Sequence, residues 1–153
     1  MRRICSSVSM LAFLLVTGCA PRIDVPQGYV TLRNSQSYEL KAVSARGCVI
    51  ALNTHPNEDA RADLSFWSQA VEHQKVDLDG LRLAGRETIK STTGLDGVLF
   101  KFELGEGQGK VAYLVALYVT PRQICTVEAG GPADLVAADS EKLHKAMLSV
   151  RAQ

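Results

Sequence analysis

Between residues 81 and 129 the chain is divided into short apolar segments by turns, and this spacing leaves little choice of architecture. From Val98 to Leu104 the residues alternate, with Val98, Phe100, Phe102 and Leu104 on one side and Lys101 and Glu103 on the other. Side chains of an extended strand point alternately to opposite faces, so the alternation predicts a strand with one buried face. Thr92-Thr93-Gly94-Leu95-Asp96-Gly97 precedes it and Gly105-Glu106-Gly107-Gln108-Gly109 follows it, both rich in turn formers. Val111 to Thr120 is apolar on both faces, as a central strand would be. Thr120-Pro121-Arg122 turns the chain, Ile124 to Ala129 is the next strand, and Gly130-Gly131-Pro132 is expected to stop the sheet. Leu81, Leu83 and Ile89 predict a strand before this series, bent at Gly85. Strands so close in sequence pair as an antiparallel meander.

Upstream, Tyr38, Leu40 and Ala42 alternate with Glu39, Lys41 and Val43, and Ala45-Arg46-Gly47 is a turn. Cys48 to Leu52 then reads as a buried strand, completing a hairpin that His55-Pro56-Asn57 ends. Leu64, Trp67, Ala70, Val71 and Gln74 recur at helical spacing within a helix expected over Ala60 to Val76, with Asn57, Glu58 and Asp59 as cap candidates. A second helix is expected over Ala133 to Val150, with Pro132 at its start and Leu135, Leu143, Ala146, Met147 and Val150 on its apolar face. Tyr29 to Leu32 is a candidate short first strand. The order is hairpin, helix, meander of three to four strands, helix. It predicts an α+β domain with helices packed on an antiparallel sheet.

That pattern resembles the PsbP-like fold, the fold of DcrB-type lipoproteins. The resemblance rests on the hairpin ending in Val49-Ile50-Ala51-Leu52, the helix with Phe66-Trp67, Gly94 to Phe102, the strand Tyr113 to Val119 and the final helix. It spans most of residues 38–150 and implies a non-catalytic accessory or binding module. It carries no diagnostic motif and so transfers no functional residue.

The N-terminus points to a location. Arg2 and Arg3 precede an apolar run from Val8 to Val16 broken only by Ser9, followed by small residues: the layout of a secretory signal peptide. The run is about half the ~20 residues of a membrane-spanning helix. Val16-Thr17-Gly18-Cys19 resembles the lipobox of bacterial lipoproteins. The resemblance implies a diacylglycerol on the Cys19 thiol, cleavage between Gly18 and Cys19, and acylation of the new amine by a palmitate-like chain. Several acyl chains make a stable membrane anchor. Ala20 is not the aspartate that retains enteric-type lipoproteins in the inner membrane, so the expected site is the outer membrane, facing the periplasm. Residues 1–18 are then the signal, 19–36 a lipidated tether with the short first strand, and 37–153 a single domain. Pro21 and Pro26 make Ala20 to Gln27 a spacer between domain and bilayer.

Removing residues 1–18 takes two of the 17 basic side chains and none of the 16 acidic ones, leaving a formal net of −1. No basic excess is available to neutralise phosphates, so a nucleic-acid partner is not expected. Of four cysteines, Cys5 leaves with the signal and Cys19 takes the lipid. Cys48 and Cys125 remain as a candidate disulfide in an exported chain. A bridge would close a loop of roughly 77 residues, credited with about 4 kcal/mol by loop entropy. The alternative is two separate buried thiols.

Few residues offer chemistry. His55, His73 and His144 share no helical metal spacing, and two distant cysteines make no zinc ribbon. No metal or cofactor is expected. Gly105 to Lys110 lacks the spacing and the Ser or Thr of a phosphate loop, and no Gly-x-Ser-x-Gly elbow occurs. Glu58 with Asp59, and Asp77 with Asp79, are paired carboxylates that solvated turns also use. Trp67 is expected to pack the core under its helix, with ligand stacking as the other role open to it. These residues predict a lipid-anchored, non-enzymatic envelope module for a protein partner or small ligand. The rivals are a small hydrolase using carboxylates in a cleft and a structural part of an envelope or transport assembly.

Overall fold

The computed structural model describes residues 21–33 and 37–152. The signal, cleavage and lipidation residues, Gly18 and Cys19 among them, lie outside the described residues.

Among the described residues seven strands form one antiparallel sheet in the order β1-β2-β3-β7-β6-β5-β4. The strands are β1 (Tyr29–Thr31), β2 (Leu40–Ser44), β3 (Val49–Pro56), β4 (Arg82–Lys90), β5 (Asp96–Leu104), β6 (Val111–Val119) and β7 (Gln123–Pro132). The chain crosses from β3 to the far edge through α1 (Leu64–His73), then returns strand by strand until β7 pairs with β3. Helices α2 (Ala133–Ala138) and α3 (Ser140–Leu148) follow. The architecture is the α+β sheet-and-helix arrangement expected, with hairpin and meander joined edge to edge. Central β6 pairs with β5 and β7, as its two apolar faces predicted.

Both faces of the sheet are covered. Phe100, Phe102, Val115, Leu117 and Ile124 form one core with Leu64, Trp67 and Val71 of α1. On the other face Ile50, Leu52, Leu99, Tyr118 and Val127 pack against Val136, Leu143 and Met147. Phe100 and Phe102 are stacked and fully buried, each contributing about 1.5–3 kcal/mol by area. The β5 face read as outward, with Lys101 and Glu103, therefore begins at buried Leu99 and lies beside the C-terminal helices.

Several boundaries move for physical reasons. Asp63 caps α1, accepting from the Phe66 backbone N–H at 2.9 Å, in place of the earlier polar residues. Asn57 is buried and ties the loop instead, donating to the Ala62 and Thr120 carbonyls. After His73 the helix widens into a π-helical turn, Gln74–Leu78. The C-terminal helix breaks at Asp139, whose carboxylate accepts from the Tyr29 hydroxyl at 3.0 Å. β7 runs through Gly130 and Gly131 to Pro132. At Gly131 (φ 158°) a Cβ would come within 3.3 Å of the Cys48 backbone, so glycine lets the strand pass the hairpin.

Residues 21–27, expected as a spacer, are packed onto the domain. Ile23 is buried, and Arg22 and Arg151 exchange both backbone hydrogen bonds, at 3.3 and 3.0 Å. The Cys48–Cys125 bridge is also corrected. Both thiols are free and buried. Cys125 stands opposite Thr54, while Cys48 touches Gly131, six residues further along β7. That is about 20 Å of strand, against the 4.4–6.8 Å between Cα atoms that a disulfide needs.

Candidate functional site

The C-terminal helices do not reach across the whole sheet. Between them and the β4 edge lies an open groove of about 670 Å³. Its floor is built by alternation. Leu99, Lys101 and Glu103 share one face of β5, and Ala112 and Leu114 stand opposite Glu103 and Lys101 on β6. The register of β4 with β5 shifts between Leu83 and Gly85, and Ala84, within that irregularity, lines the groove too. The helical wall is Ala133, Val136 and Ala137 of α2, then Ser140, His144 and Met147 of α3.

Lys101, Glu103, Lys110 and Glu141 bring charge to the lining, and the first three are in ion pairs. Lys101 meets Glu87 at 3.1 Å. Glu103 is held between Lys110, at 2.6 Å, and Arg82. A carboxylate shared by two cations is poorly placed to take a proton from a substrate. The groove offers largely apolar floor and wall, a hydroxyl, an imidazole, the Glu141 carboxylate and paired charges. Such a surface suits binding an apolar segment with polar edges.

Trp67 stands beside a second, shallower depression of about 590 Å³ with Pro56, Arg61 and Phe66. Its indole N–H donates to the Asn57 side-chain oxygen at 3.3 Å, and its ring packs against the α1-side core. Phe66 meets it edge-on at 5.3 Å between centroids and is 56% exposed. Trp67 thus has the core position expected, and Phe66 is the ring presented to solvent.

Of the paired carboxylates, Asp59, Asp77 and Asp79 are engaged by neighbouring side chains, while Glu58 is exposed. Hydrogen bonds from Arg61 hold Asp59 below the usual carboxylate range, and those from Lys75 and Gln74 do the same for Asp79. Asp77 meets the His73 ring at 2.6 Å. His55 is beside Asn53, and His144 alone of the three histidines lines the groove. Among the described residues no three of His, Cys, Asp and Glu gather as metal ligands. Cys125 is raised to about 12 by burial, which keeps it an unreactive thiol. The groove went unread in the sequence because its floor comes from the polar-looking parity of β5. The one signal was Leu99, apolar on the side assigned to solvent.

The fold is that of a PsbP-like α+β domain, with an open groove on one face of its sheet. No protein-family model matches the chain, and no curated protein matches it by sequence. Among solved structures it is similar to LpqN, involved in cell envelope biogenesis of Mycobacterium tuberculosis. The TM-score is 0.67 at 12% identity, over 85% of this chain and 81% of that one. It is also similar to the cyanobacterial PsbP protein CyanoP of Synechocystis sp. PCC 6803 (TM-score 0.58, 9% identity, 94% and 99% covered). A third is PA94 of Pseudomonas aeruginosa, of unknown function and a putative regulator (TM-score 0.50, 13% identity, 90% and 88% covered). At these identities the likeness shows the fold alone, and the fold is the PsbP-like one expected. Among the described residues no helix is long and apolar enough to cross a membrane.

Proposed function

We propose that the protein is a lipid-anchored, non-catalytic accessory module of the bacterial cell envelope that binds a protein partner through the groove between β5–β6 and the C-terminal helices. The observation that carries this reading is the groove itself: an open, largely apolar trough whose Glu103 carboxylate is held between two cations. Support for the envelope comes from the signal-like N-terminus ending in Val16-Thr17-Gly18-Cys19, and from likeness to a protein of envelope biogenesis. Ala20 after the lipid-bearing cysteine favours the outer membrane, facing the periplasm. The hydrolase reading is weaker, because Glu103 in the groove is neutralised by Lys110 and Arg82.

Photocrosslinking in intact cells tests the proposal. A photoreactive residue at Ala137, exposed on the groove wall, is expected to give one discrete crosslinked product. The same residue at Gln69, exposed on α1 across the sheet, should not give that product. Cys19→Ser should abolish it by removing the anchor. A product from Gln69 and none from Ala137 would contradict the reading.

A further inference from the structure

The packing of residues 21–27 fixes how such an anchored domain stands. We propose that it rests directly on the bilayer holding Cys19, with Arg22, Lys145 and Arg151 against anionic lipid phosphates and the Glu103–Lys110 end of the groove turned away. The inference depends on the lipid-anchored reading above and adds the orientation and the lipid contact.

Cys19 is three residues before Arg22, a span of at most about 11 Å. Arg22 is not free to swing, because it is bonded to Arg151 on both sides of its peptide unit. Ile23 is 6% exposed, and the Asp24 N–H donates to the Ser149 hydroxyl at 2.7 Å. The lipid therefore pulls on the C-terminal end of α3 with almost no slack.

Arg22, Lys145 and Arg151 are all exposed. Asp24 is the acid among them and is engaged by Arg151 at 2.7 Å. Lys142 is matched by Asp139, Lys90 by Asp96 at the nearby hairpin, and Glu141 lies a turn before Lys145. The excess at the anchored end is positive although the mature chain as a whole is not, and headgroups sense charge within about a Debye length. Several carbonyls at the helix end are already bonded within the domain. Met147 accepts from Tyr118, Leu148 from the Thr92 N–H and Val150 from the Thr93 hydroxyl.

The groove runs along α2 and α3 as far as Met147, and from Leu99 near the start of β5 to Glu103, Lys110 and Ala112 at the far end of the β5–β6 hairpin. The anchored end lies beside the start of β5. From Asp96 to Glu103 is about 23 Å along the strand. The Glu103–Lys110 end of the groove therefore stands away from the bilayer, where a partner can enter it.

The test reconstitutes the full-length gene product, matured in cells and purified from membranes, into vesicles of equal parts phosphatidylcholine and phosphatidylglycerol. An amine-reactive label is read by peptide mass at Lys145, relative to Lys101 in the same molecules. Lys145 labelling is expected to fall about fivefold against the detergent-solubilised protein, and less in pure phosphatidylcholine. Arg22→Glu, at an exposed position, should shrink the difference between the two lipids. Equal labelling of Lys145 in vesicles and detergent, with Cys19 acylated, overturns this orientation alone. Protection of Lys101 in place of Lys145 overturns it as well. An unacylated Cys19 in the same digest overturns both this inference and the anchored reading.

Discussion

The Tyr118 hydroxyl donates to the Met147 carbonyl at 3.0 Å, joining central β6 to the last turn of α3 inside the core. Tyr118 is fully buried, and its ring is closely approached by the backbone of Gly97 in β5. One side chain thus links the sheet to the helix that carries one wall of the groove. Tyr118→Phe leaves a buried carbonyl without its donor and should cost about 1–2 kcal/mol. Urea denaturation checks this as a lower midpoint with an unchanged slope.

Gly97 serves the same joint by having no side chain. A Cβ there would lie 2.7 Å from the Leu117 carbonyl oxygen and from two carbons of the Tyr118 ring. Backbone cannot yield as a flexible side-chain tip can. Gly97→Ala should therefore destabilise by about 1–3 kcal/mol, seen as a lower melting temperature. An unchanged melting temperature would show that the Tyr118 joint is loose.

Asn57 holds the loop between β3 and α1 through three partners: the Ala62 and Thr120 carbonyls and the Trp67 indole N–H. Asn57→Ala removes three half-buried hydrogen bonds and should cost about 2–4 kcal/mol. Loss of the Trp67 bond should also shift the emission of this single tryptophan toward the solvent-exposed range. Fluorescence during unfolding reads both effects.

Stability should fall on the alkaline side. Burial raises Cys125 to about 12, and burial first, with hydrogen bonds for two of them, raises Tyr29, Tyr113 and Tyr118 above the ordinary phenol value of 10.0. Above pH 9 for the thiol and pH 10 for the phenols, the unfolded chain releases protons that the folded chain keeps. The unfolded state then binds fewer protons, so stability is complete below these values and declines as pH rises toward the folded ones. Urea midpoints at pH 8 and pH 11 should differ in that direction.

Thiol titration checks the strand register. Cys48 and Cys125 are 0% and 1% exposed. Neither should react in the folded mature protein, and both should react in denaturant without any reductant. Two further thiols appearing only after reduction would contradict the placement of Cys125 opposite Thr54.

The hairpin, the meander and the central place of β6 were legible because each depends on local alternation and nearby turns. The contact of β7 with β3 was not, since partners so far apart are chosen by the whole sheet and leave no periodic trace in either strand. The disulfide expectation failed for that reason: Cys48 and Cys125 both sit on core faces, but face says nothing of position along the strand. The tether was misread because Pro21 and Pro26 suggest irregular chain. Irregular chain still packs when Ile23 and Val25 find the apolar side of α3. The groove was hidden because a sheet covered on both faces gives its second face a mixed pattern, apolar at Leu99 and charged at Lys101 and Glu103.

The measurement that bears most directly on the account is the mass of the N-terminal peptide of the protein isolated from bacterial membranes. The account expects the chain to begin at Cys19, with a diacylglyceryl thioether on its sulfur and an acyl group on its amine. A chain beginning elsewhere, or an unmodified Cys19, would contradict it.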